Sequence, residues 1–367
     1  MKLRYKILLG LFGVVAAGVL ALAIAISYTA DCPPAPAVEP GTETMQAVRA
    51  RCYGPPEVLT IEAVPRPVPG PDQILVRVRA AGVNPLDYHF MRGSPYLMRL
   101  MAGIGRPADV RVGVDFSGVV EAVGEDVTRF AVGDAVFGSA NGAFAEYLVA
   151  GADAAVAHKP ETVSFEEAAS IGVAATTALQ ALRDDGELES GDSVLVNGAS
   201  GGVGSFAVQI AKSMGATVTG VCSTPNVPLV SALGADAVID YRREDYSALP
   251  ARYDVIVDMV GNHSPATNHE VLEEGGRYVL VGGPKGDWFA PLKRPLQAAW
   301  TSLFVDETLT PMLAILSRDD METLAGMLAD QRIVPAIDRR YSLADAPEAI
   351  RYSETGRARG KIIVLIE

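Results

Sequence analysis

The amino-acid sequence predicts an α/β protein with a β-rich domain, a doubly wound parallel sheet and an apolar N-terminal helix. Three observations support this prediction. Residues 74–79 (ILVRVR) and similar short segments alternate apolar with polar side chains, which is typical of half-buried strands. From residue 165 onward strand patterns alternate with helical ones, as in a parallel sheet with helices on both faces. Residues 7–26 contain no charged side chain.

The N-terminal apolar stretch predicts membrane attachment. A helix over residues 7–26 is long enough to cross a bilayer, and three basic residues, Lys2, Arg4 and Lys6, precede it. A cleaved signal peptide is the alternative, but its apolar core is only about 7–15 residues long. We therefore expect residues 1–30 to form a membrane anchor, and the Pro-rich residues 31–44 to form an extended tether.

Composition and cysteine spacing exclude several functions. The formal net charge is -13 and the body contains no basic cluster, which argues against nucleic acid as a partner. The three cysteines, Cys32, Cys52 and Cys222, contain no C-x-x-C pair. They predict neither a disulfide framework nor a structural zinc site, so a mostly reduced protein is expected.

Glycines are concentrated in the segment SVLVNGASGGVGSFAVQIAK (residues 193–212), where a strand pattern ends and a helical pattern begins. At such a junction a pyrophosphate lies against the exposed N–H groups of the helix, and glycine lets the backbone approach it. A tight turn without a ligand is the alternative, but the strand–turn–helix–strand context favours a dinucleotide. The residues expected to bind it are Ala199, Ser200, Gly201, Gly202, Val203 and Gly204.

With these segments the chain resembles the zinc-free, quinone-oxidoreductase-like branch of the medium-chain dehydrogenase/reductase superfamily. The matching stretches are AAGVNPLDYHFMRG (80–93), GVDFSGVVEAVGEDVTRFAVGDAVFG (113–138), GAFAEYLV (142–149), NGASGGVGSFAVQIAK (197–212), LGADAVIDY (233–241) and RARGKIIVLI (357–366). The resemblance implies a GroES-like catalytic domain (45–170) interrupted by a Rossmann domain (171–302), to which the chain returns over 303–367. It places the active site in the cleft between the domains and allows a homodimer.

The residues at the family's metal position predict an enzyme without zinc. Zinc-dependent relatives carry a cysteine where this chain has Asn84 and a histidine where it has Val114. Without thiolate or imidazole ligands a tetrahedral zinc site cannot form, so Asp87 and Asp115 are expected to be structural carboxylates. The lack of a Lewis acid favours reduction of quinones or activated alkenes over oxidation of alcohols.

The second strand of the Rossmann pattern predicts NADPH in preference to NADH. This strand ends at Cys222, Ser223 and Thr224, without the carboxylate that binds the ribose hydroxyls of NAD. The resemblance places Tyr241 beside the 2′-phosphate as well. Relatives often have a basic residue next, whereas this chain has Pro225.

The resemblance also indicates residues around the nicotinamide. Asn84 is expected to face the nicotinamide and the substrate carbonyl, and Tyr88 to donate a hydrogen bond or proton to a developing enolate. For Tyr88 the alternative is a buried tyrosine that satisfies a backbone group, and His89 is a weaker catalytic candidate. Further residues expected near the cofactor are Thr177, Val281, Gly282, Gly283 and Lys361, the last with a solvated surface lysine as its alternative. The aromatic segment 286–304 is read as packing in the core or between domains, or as an apolar lip of the substrate entrance.

Together these patterns predict an NADPH-dependent, zinc-independent reductase of an apolar quinone or an α,β-unsaturated carbonyl compound. The alternatives are a membrane-tethered NADPH-binding sensor or scaffold, and an alcohol or aldehyde oxidoreductase. The basic residues before the span would place the body outside the cell. Because NADPH is kept inside, we expect the body to face the cytoplasm.

Overall fold

The structure is a computed structural model that describes residues 2–288 and 290–367, without the side chains of residues 2–4 and 6–11. Its N-terminal part contains three helices, α1 (Lys2–Ser27), α2 (Pro85–Arg92) and α3 (Arg99–Ala102). The strands of this part are β1 (Thr44–Ala50), β2 (Leu59–Pro65), β3 (Gln73–Val83), β4 (Asp115–Val123), β5 (Ala135–Ser139), β6 (Tyr147–Gly151) and β7 (Val156–His158). Strands β1 and β2 pair antiparallel, and the others join a seven-stranded sheet.

Helices and strands alternate in the rest of the chain. The strands are β8 (Ser193–Asn197), β9 (Thr217–Cys222), β10 (Ala237–Asp240), β11 (Tyr253–Asp258), β12 (Leu272–Leu280), β13 (Thr308–Pro311), β14 (Ile337–Ser342) and β15 (Lys361–Leu365). The helices are α4 (Phe165–Ala169), α5 (Gly172–Gln180), α6 (Gly202–Ser213), α7 (Val227–Ala232), α8 (Pro265–His269), α9 (Ala290–Thr301), α10 (Arg318–Ala329) and α11 (Ala346–Glu354).

The parallel sheet has the strand order β10-β9-β8-β11-β12-β13. This is the doubly wound order, whose direction reverses between β8 and β11, and ligands of such sheets bind at the carboxyl ends of the strands there. The sheet continues to β13, beyond the predicted boundary at residue 302. Strand β12 begins soon after α8, because Leu272 already pairs with Tyr253 of β11.

The chain returns to its first domain at the C-terminus. Strand β15 pairs antiparallel with β3, and β14 lies parallel to β15 at the edge of the seven-stranded sheet. Consequently Lys361, the first residue of β15, is brought beside β3 and the start of α2, although these lie far away in sequence. One set of buried apolar side chains forms the core of the first domain, and two further sets cover the parallel sheet. Val194 belongs to one of these two sets and Leu195 to the other.

The predicted membrane anchor is wrong. Among the described residues, no helix is both long enough and apolar enough to span a bilayer. The predicted span begins at Ile7, but residues 7–11 lie outside the described side chains. The predicted single-pass membrane localisation, with the body facing the cytoplasm, is therefore wrong as well.

The start of the predicted tether is fixed to the body. The Arg99 guanidinium donates hydrogen bonds to the carbonyl oxygens of Ile26, Ser27 and Tyr28 at 2.8–3.3 Å. Cys32 then forms a disulfide with Cys52, which overturns the expectation that the cysteines are reduced. Sequence spacing could not reveal this bond, because folding alone brings the two residues together.

We expect loss of this disulfide to destabilise the protein. The bond closes a loop with a sequence separation of 20 residues. A cross-link over a loop of this size lowers the conformational entropy of the unfolded chain. The folded state is thereby stabilised by about 3 kcal/mol. The double variant Cys32→Ser/Cys52→Ser should therefore unfold at lower urea concentration, with a free energy of unfolding reduced by about 2–3 kcal/mol. Cys222→Ser is the control, and an unchanged midpoint in the double variant would contradict the prediction.

The aromatic segment 286–304 is largely exposed rather than buried in the core. Side chains of Trp300 and Phe304 are 66% and 70% exposed, and Phe289 lies outside the described residues. Trp288 is less exposed and packs edge-to-face on Tyr96 with 4.9 Å between ring centroids. The Tyr96 amide also donates to the Asp287 carbonyl oxygen at 2.7 Å. The start of this segment thus contacts the first domain, and most of the rest is partly or largely exposed, with Ala298 buried.

Candidate active site and cofactor cleft

The glycine-rich loop connects β8 to α6 at the carboxyl edge of the parallel sheet. Gly198 has a φ of 91°, a left-handed conformation that favours glycine. A Cβ at Gly204 would lie 2.1 Å from the Gly198 carbonyl oxygen, so helix α6 can approach the loop only without a side chain there. At Gly201 and Gly202 a Cβ would meet nothing closer than 3.4 Å.

The loop at Gly201 and Gly202 has the chemistry to hold a pyrophosphate. Gly201 caps helix α6, whose first N–H groups have no carbonyl partner within the helix. Ser200 is buried at this loop, and its hydroxyl oxygen accepts a hydrogen bond from Asn226 Nδ2 at 2.9 Å. Ala199 and Val203 instead face the core, which leaves the backbone and Ser200 as the groups that can contact a phosphate.

A carboxylate that the sequence pattern missed lies near the end of β9. Thr224 donates its hydroxyl hydrogen to Asp240 Oδ2 at 2.6 Å, and Asp240 ends the neighbouring strand β10. The Thr224 hydroxyl is therefore already used and cannot also donate to a phosphate. Cys222 is buried, which raises the pKa of its thiol to about 11 and keeps it protonated.

Two other groups at this end can contact a cofactor. Tyr241 is largely exposed, and its amide donates to the Cys222 carbonyl oxygen at 3.1 Å, which holds it beside the end of β9. The Arg359 guanidinium donates to the Pro225 carbonyl oxygen at 3.1 Å. A cation thus lies beside Pro225, although the local sequence has no basic residue there.

A buried polar cluster lies where α2 begins. Asn84 Nδ2 donates to Asp115 Oδ2 at 2.9 Å, and Lys361 Nζ donates to Asn84 Oδ1 at 2.6 Å. Asp115 Oδ1 accepts hydrogen bonds from Ser139 Oγ at 2.9 Å and from the Val173 amide at 2.8 Å. All four polar side chains are at least nine-tenths buried, and Lys361 is therefore not the solvated surface lysine of the alternative interpretation.

Asp87 adds a second carboxylate to this cluster. Its Oδ2 accepts a hydrogen bond from the Asn84 amide at 2.7 Å, and its Oδ1 has no partner among the described residues. Burial, with Asp115 nearby, raises the pKa of Asp87 to about 7, whereas Lys361 opposes this rise. Asp87 is thus half protonated near neutral pH.

Tyr88 follows one residue later on α2, with its ring partly buried. Its hydroxyl makes no hydrogen bond among the described residues, and burial raises its pKa above the ordinary value, so the phenol remains a donor. His89 stacks beside it with 4.6 Å between ring centroids and donates from Nδ1 to the Ser94 carbonyl oxygen at 2.8 Å. Burial lowers the pKa of His89, which is therefore neutral and committed to the backbone.

The remaining predicted residues do not belong to the polar cluster. Thr177 Oγ1 donates to the Val173 carbonyl oxygen at 2.7 Å, one turn away from the bond between Val173 and Asp115. The amides of Val281 and Gly282 donate to the Asp258 carbonyl oxygen at 3.0 Å, just after β12. A Cβ at Gly283 would meet no atom within 4 Å, so open space lies above this turn.

Sequence reasoning also missed the buried residues that shape the loop after β11. The Asp258 carboxylate accepts hydrogen bonds from Asn197 Nδ2, the Val260 and Gly261 amides, and the Tyr278 hydroxyl at 2.8–2.9 Å. Asp258 and Asn197 each end an apolar strand at the point where the direction of the sheet reverses. A single polar residue at the end of an apolar strand is the sequence signal that could have predicted Asp258 and Asn197.

The polar cluster does not fit a zinc ion. Its members are an amide, carboxylates, a hydroxyl and an ammonium, and tetrahedral zinc requires several thiolate or imidazole ligands. Among the described residues, no group of three or more His, Cys, Asp and Glu side chains could hold a metal. The Lys361 ammonium beside Asn84 would also repel a divalent cation.

Fold and site define a two-domain nicotinamide-dependent oxidoreductase, and comparisons with known proteins agree. The family model described as alcohol dehydrogenase GroES-like domain matches residues 70–161, and the one described as zinc-binding dehydrogenase matches residues 233–364. The chain belongs to the quinone-oxidoreductase-like branch of the medium-chain dehydrogenase/reductase superfamily, and it is an NAD(P)H-dependent oxidoreductase.

Three relatives illustrate the match. A chloroplast envelope quinone oxidoreductase homolog from Arabidopsis thaliana is 32% identical over 317 residues, which are 82% of this chain and 92% of that protein. A 2-methylene-furan-3-one reductase from Solanum lycopersicum is 33% identical over 331 residues, 85% of this chain and 76% of that protein. The structure of the quinone oxidoreductase from Coxiella burnetii superimposes with a TM-score of 0.77 at 31% identity, covering 89% of this chain and 100% of that one.

Proposed function

We propose that this protein uses NADPH to reduce apolar quinones or α,β-unsaturated carbonyl compounds without zinc. The observation that carries the proposal is the Tyr88 hydroxyl, which is protonated and uncommitted on the helix that begins beside Asn84. Relatives with the names quinone oxidoreductase and 2-methylene-furan-3-one reductase support both substrate classes. The exposed aromatic residues of segment 286–304 support an apolar substrate.

Separate residues of the chain would bind the cofactor and donate the proton. The backbone around Gly201, with Ser200, would hold the pyrophosphate, and Val281 to Gly283 would line the nicotinamide half. A bound nicotinamide supplies hydride to the electron-poor carbon of the substrate. The Tyr88 hydroxyl donates a hydrogen bond to the substrate oxygen, where negative charge develops, and can deliver the proton.

Steady-state NADPH oxidation by the purified full chain tests the proposal. We expect turnover with 1,4-benzoquinones or with short enals and enones, and much slower oxidation of simple alcohols by NADP⁺. Stoichiometric zinc by elemental analysis would contradict the zinc-free part. Tight NADPH binding without turnover of any acceptor would instead favour the alternative of an NADPH-binding sensor or scaffold.

NADPH rather than NADH is proposed because Arg359 can take the place of the basic residue missing at position 225. Its guanidinium donates to the carbonyl oxygen of Pro225, two residues after Ser223, and Arg–phosphate hydrogen bonds are charge-assisted.

Arg359→Ala should therefore raise the Kd for NADPH by about tenfold, equivalent to about 1.4 kcal/mol, and leave the Kd for NADH unchanged. Arg357→Ala is the matched control, because Arg357 is an exposed arginine two residues earlier. An equal rise in both Kd values, measured by fluorescence titration, would contradict the assignment.

A further inference from the structure

Lys361 Nζ is buried inside the candidate active site, between an amide oxygen and a carboxylate. The side chain is 2% exposed, and Nζ lies 2.6 Å from Asn84 Oδ1 and 3.5 Å from Asp115 Oδ2. A buried ammonium is costly unless it is paired and hydrogen-bonded. Its position beside Asn84, one of the two residues that replace zinc ligands of relatives, therefore calls for an explanation beyond packing.

Lys361 determines which way the Asn84 carboxamide points. Oδ1 accepts from Lys361, and Nδ2 donates one hydrogen to Asp115 Oδ2 at 2.9 Å. The second Nδ2 hydrogen has only the Gly82 carbonyl oxygen at 3.5 Å, at the limit of a hydrogen bond. One N–H of a rigidly held amide thus remains available for another acceptor.

The same lysine contacts the loop that would hold the cofactor. A Cβ at Gly202 would lie 3.4 Å from Lys361 Cδ, and the amide of the preceding Gly360 donates to the Ser200 carbonyl oxygen at 2.9 Å. Lys361 therefore connects the glycine loop to Asn84, although the three residues belong to three distant parts of the chain.

Charge balance favours a fixed role for this ammonium over a role as a proton donor. Asp115 is fully buried and accepts hydrogen bonds from Asn84, Ser139 and the Val173 amide. It also lies beside the charge of Lys361. Burial lowers the pKa of Lys361, and the two carboxylates that face it, Asp115 and Asp87, oppose this fall. Loss of the Lys361 proton would leave Asp115 without a counter-charge.

We propose that Lys361 is a positioning residue that replaces the metal of zinc-dependent relatives with a built-in cation. It orients Asn84 so that the free Nδ2 hydrogen can bind the carbonyl or quinone oxygen of the substrate. The substrate oxygen is taken from the proposed function, but the anchoring of Asn84 by Lys361 can be tested without any substrate.

The first test is a double-mutant cycle on the full chain. Lys361→Met should lower kcat for the best acceptor about 100-fold and change the Kd for NADPH less than threefold. If Lys361 acts through Asn84, the same substitution in an Asn84→Ala background should lower kcat less than threefold further. Lys212→Met, which removes a lysine paired with Asp236 on the surface, is the control and should leave kcat unchanged.

A 100-fold loss in both backgrounds, or a rise in the Kd for NADPH with unchanged kcat, would overturn the proposal. Because Lys361→Met leaves Asp115 buried without its cation, the second variant Lys361→Met/Asp115→Asn removes both charges. It contains no unpaired buried charge at this site, so it should fold, and it should still show the loss of kcat. Recovery of kcat in this variant would also overturn the proposal.

The second test needs no turnover. The side-chain amide signal of Asn84, identified by its absence in Asn84→Ala, should exchange slowly with solvent in the wild type and at least 100-fold faster in Lys361→Met. Unchanged exchange would overturn the proposal. If the wild type reduces no acceptor, the proposed function fails, and this measurement still decides whether Lys361 anchors Asn84.

Discussion

Gly201→Val is expected to raise the Kd for NADPH at least about 100-fold, equivalent to about 2.8 kcal/mol, while the fold is retained. Gly201 has an extended backbone, which valine adopts readily, and its Cβ would meet no protein atom closer than 3.4 Å. The new side chain would instead fill the space assigned to the pyrophosphate. Isothermal titration with NADPH measures the loss, and circular dichroism checks the fold.

Gly204→Val is the matched control for a glycine that serves packing. Its Cβ would lie 2.1 Å from the Gly198 carbonyl oxygen and 2.8 Å from Ala199 Cα, so helix α6 would have to move. We expect this variant to lower the free energy of unfolding by about 1–3 kcal/mol or more. If Gly201→Val bound NADPH normally, the pyrophosphate would not lie at this loop.

Tyr88→Phe is expected to lower kcat for enones by about 100-fold or more, the usual contribution of a general acid. The loss should be smaller for quinones, because the developing hydroquinone oxygen is less basic than an enolate and needs proton donation less. Stability should hardly change, since the Tyr88 hydroxyl has no hydrogen bond to lose among the described residues. Steady-state kinetics with one enone and one quinone measure the difference.

The pH dependence gives a second measure of the same role. Burial raises the pKa of Tyr88, so its donor form should persist to a higher pH than that of an ordinary tyrosine, and the wild-type rate should not fall until the pH exceeds about 10.

Tyr96→Phe is the control for the loss of kcat in Tyr88→Phe, because Tyr96 packs on Trp288 near the same helix. Equal losses of kcat in both variants would point to packing and contradict proton donation by Tyr88.

Patterns that are local in sequence were predicted well. The alternation after residue 165 predicted the parallel sheet, and the glycine spacing located the β8–α6 loop, because period and turn chemistry act over a few residues. Family motifs singled out Asn84, Tyr88 and Lys361 one by one. The apolar N-terminal stretch shows the limit of composition, since the membrane span that it predicted was not found among the described residues.

What the sequence by itself determined is therefore the order of the elements and the chemistry available at each strand end. The tertiary structure alone decided which of these groups meet. Cys32 bonds to Cys52, and Arg359 lies beside Pro225. Lys361, near the C-terminus, binds Asn84 in the N-terminal part of the chain. Each of these contacts depends on how β15 and the N-terminal segment pack against the first domain. No local pattern encodes such a contact, because its energy comes from burial and pairing between segments that are remote in sequence.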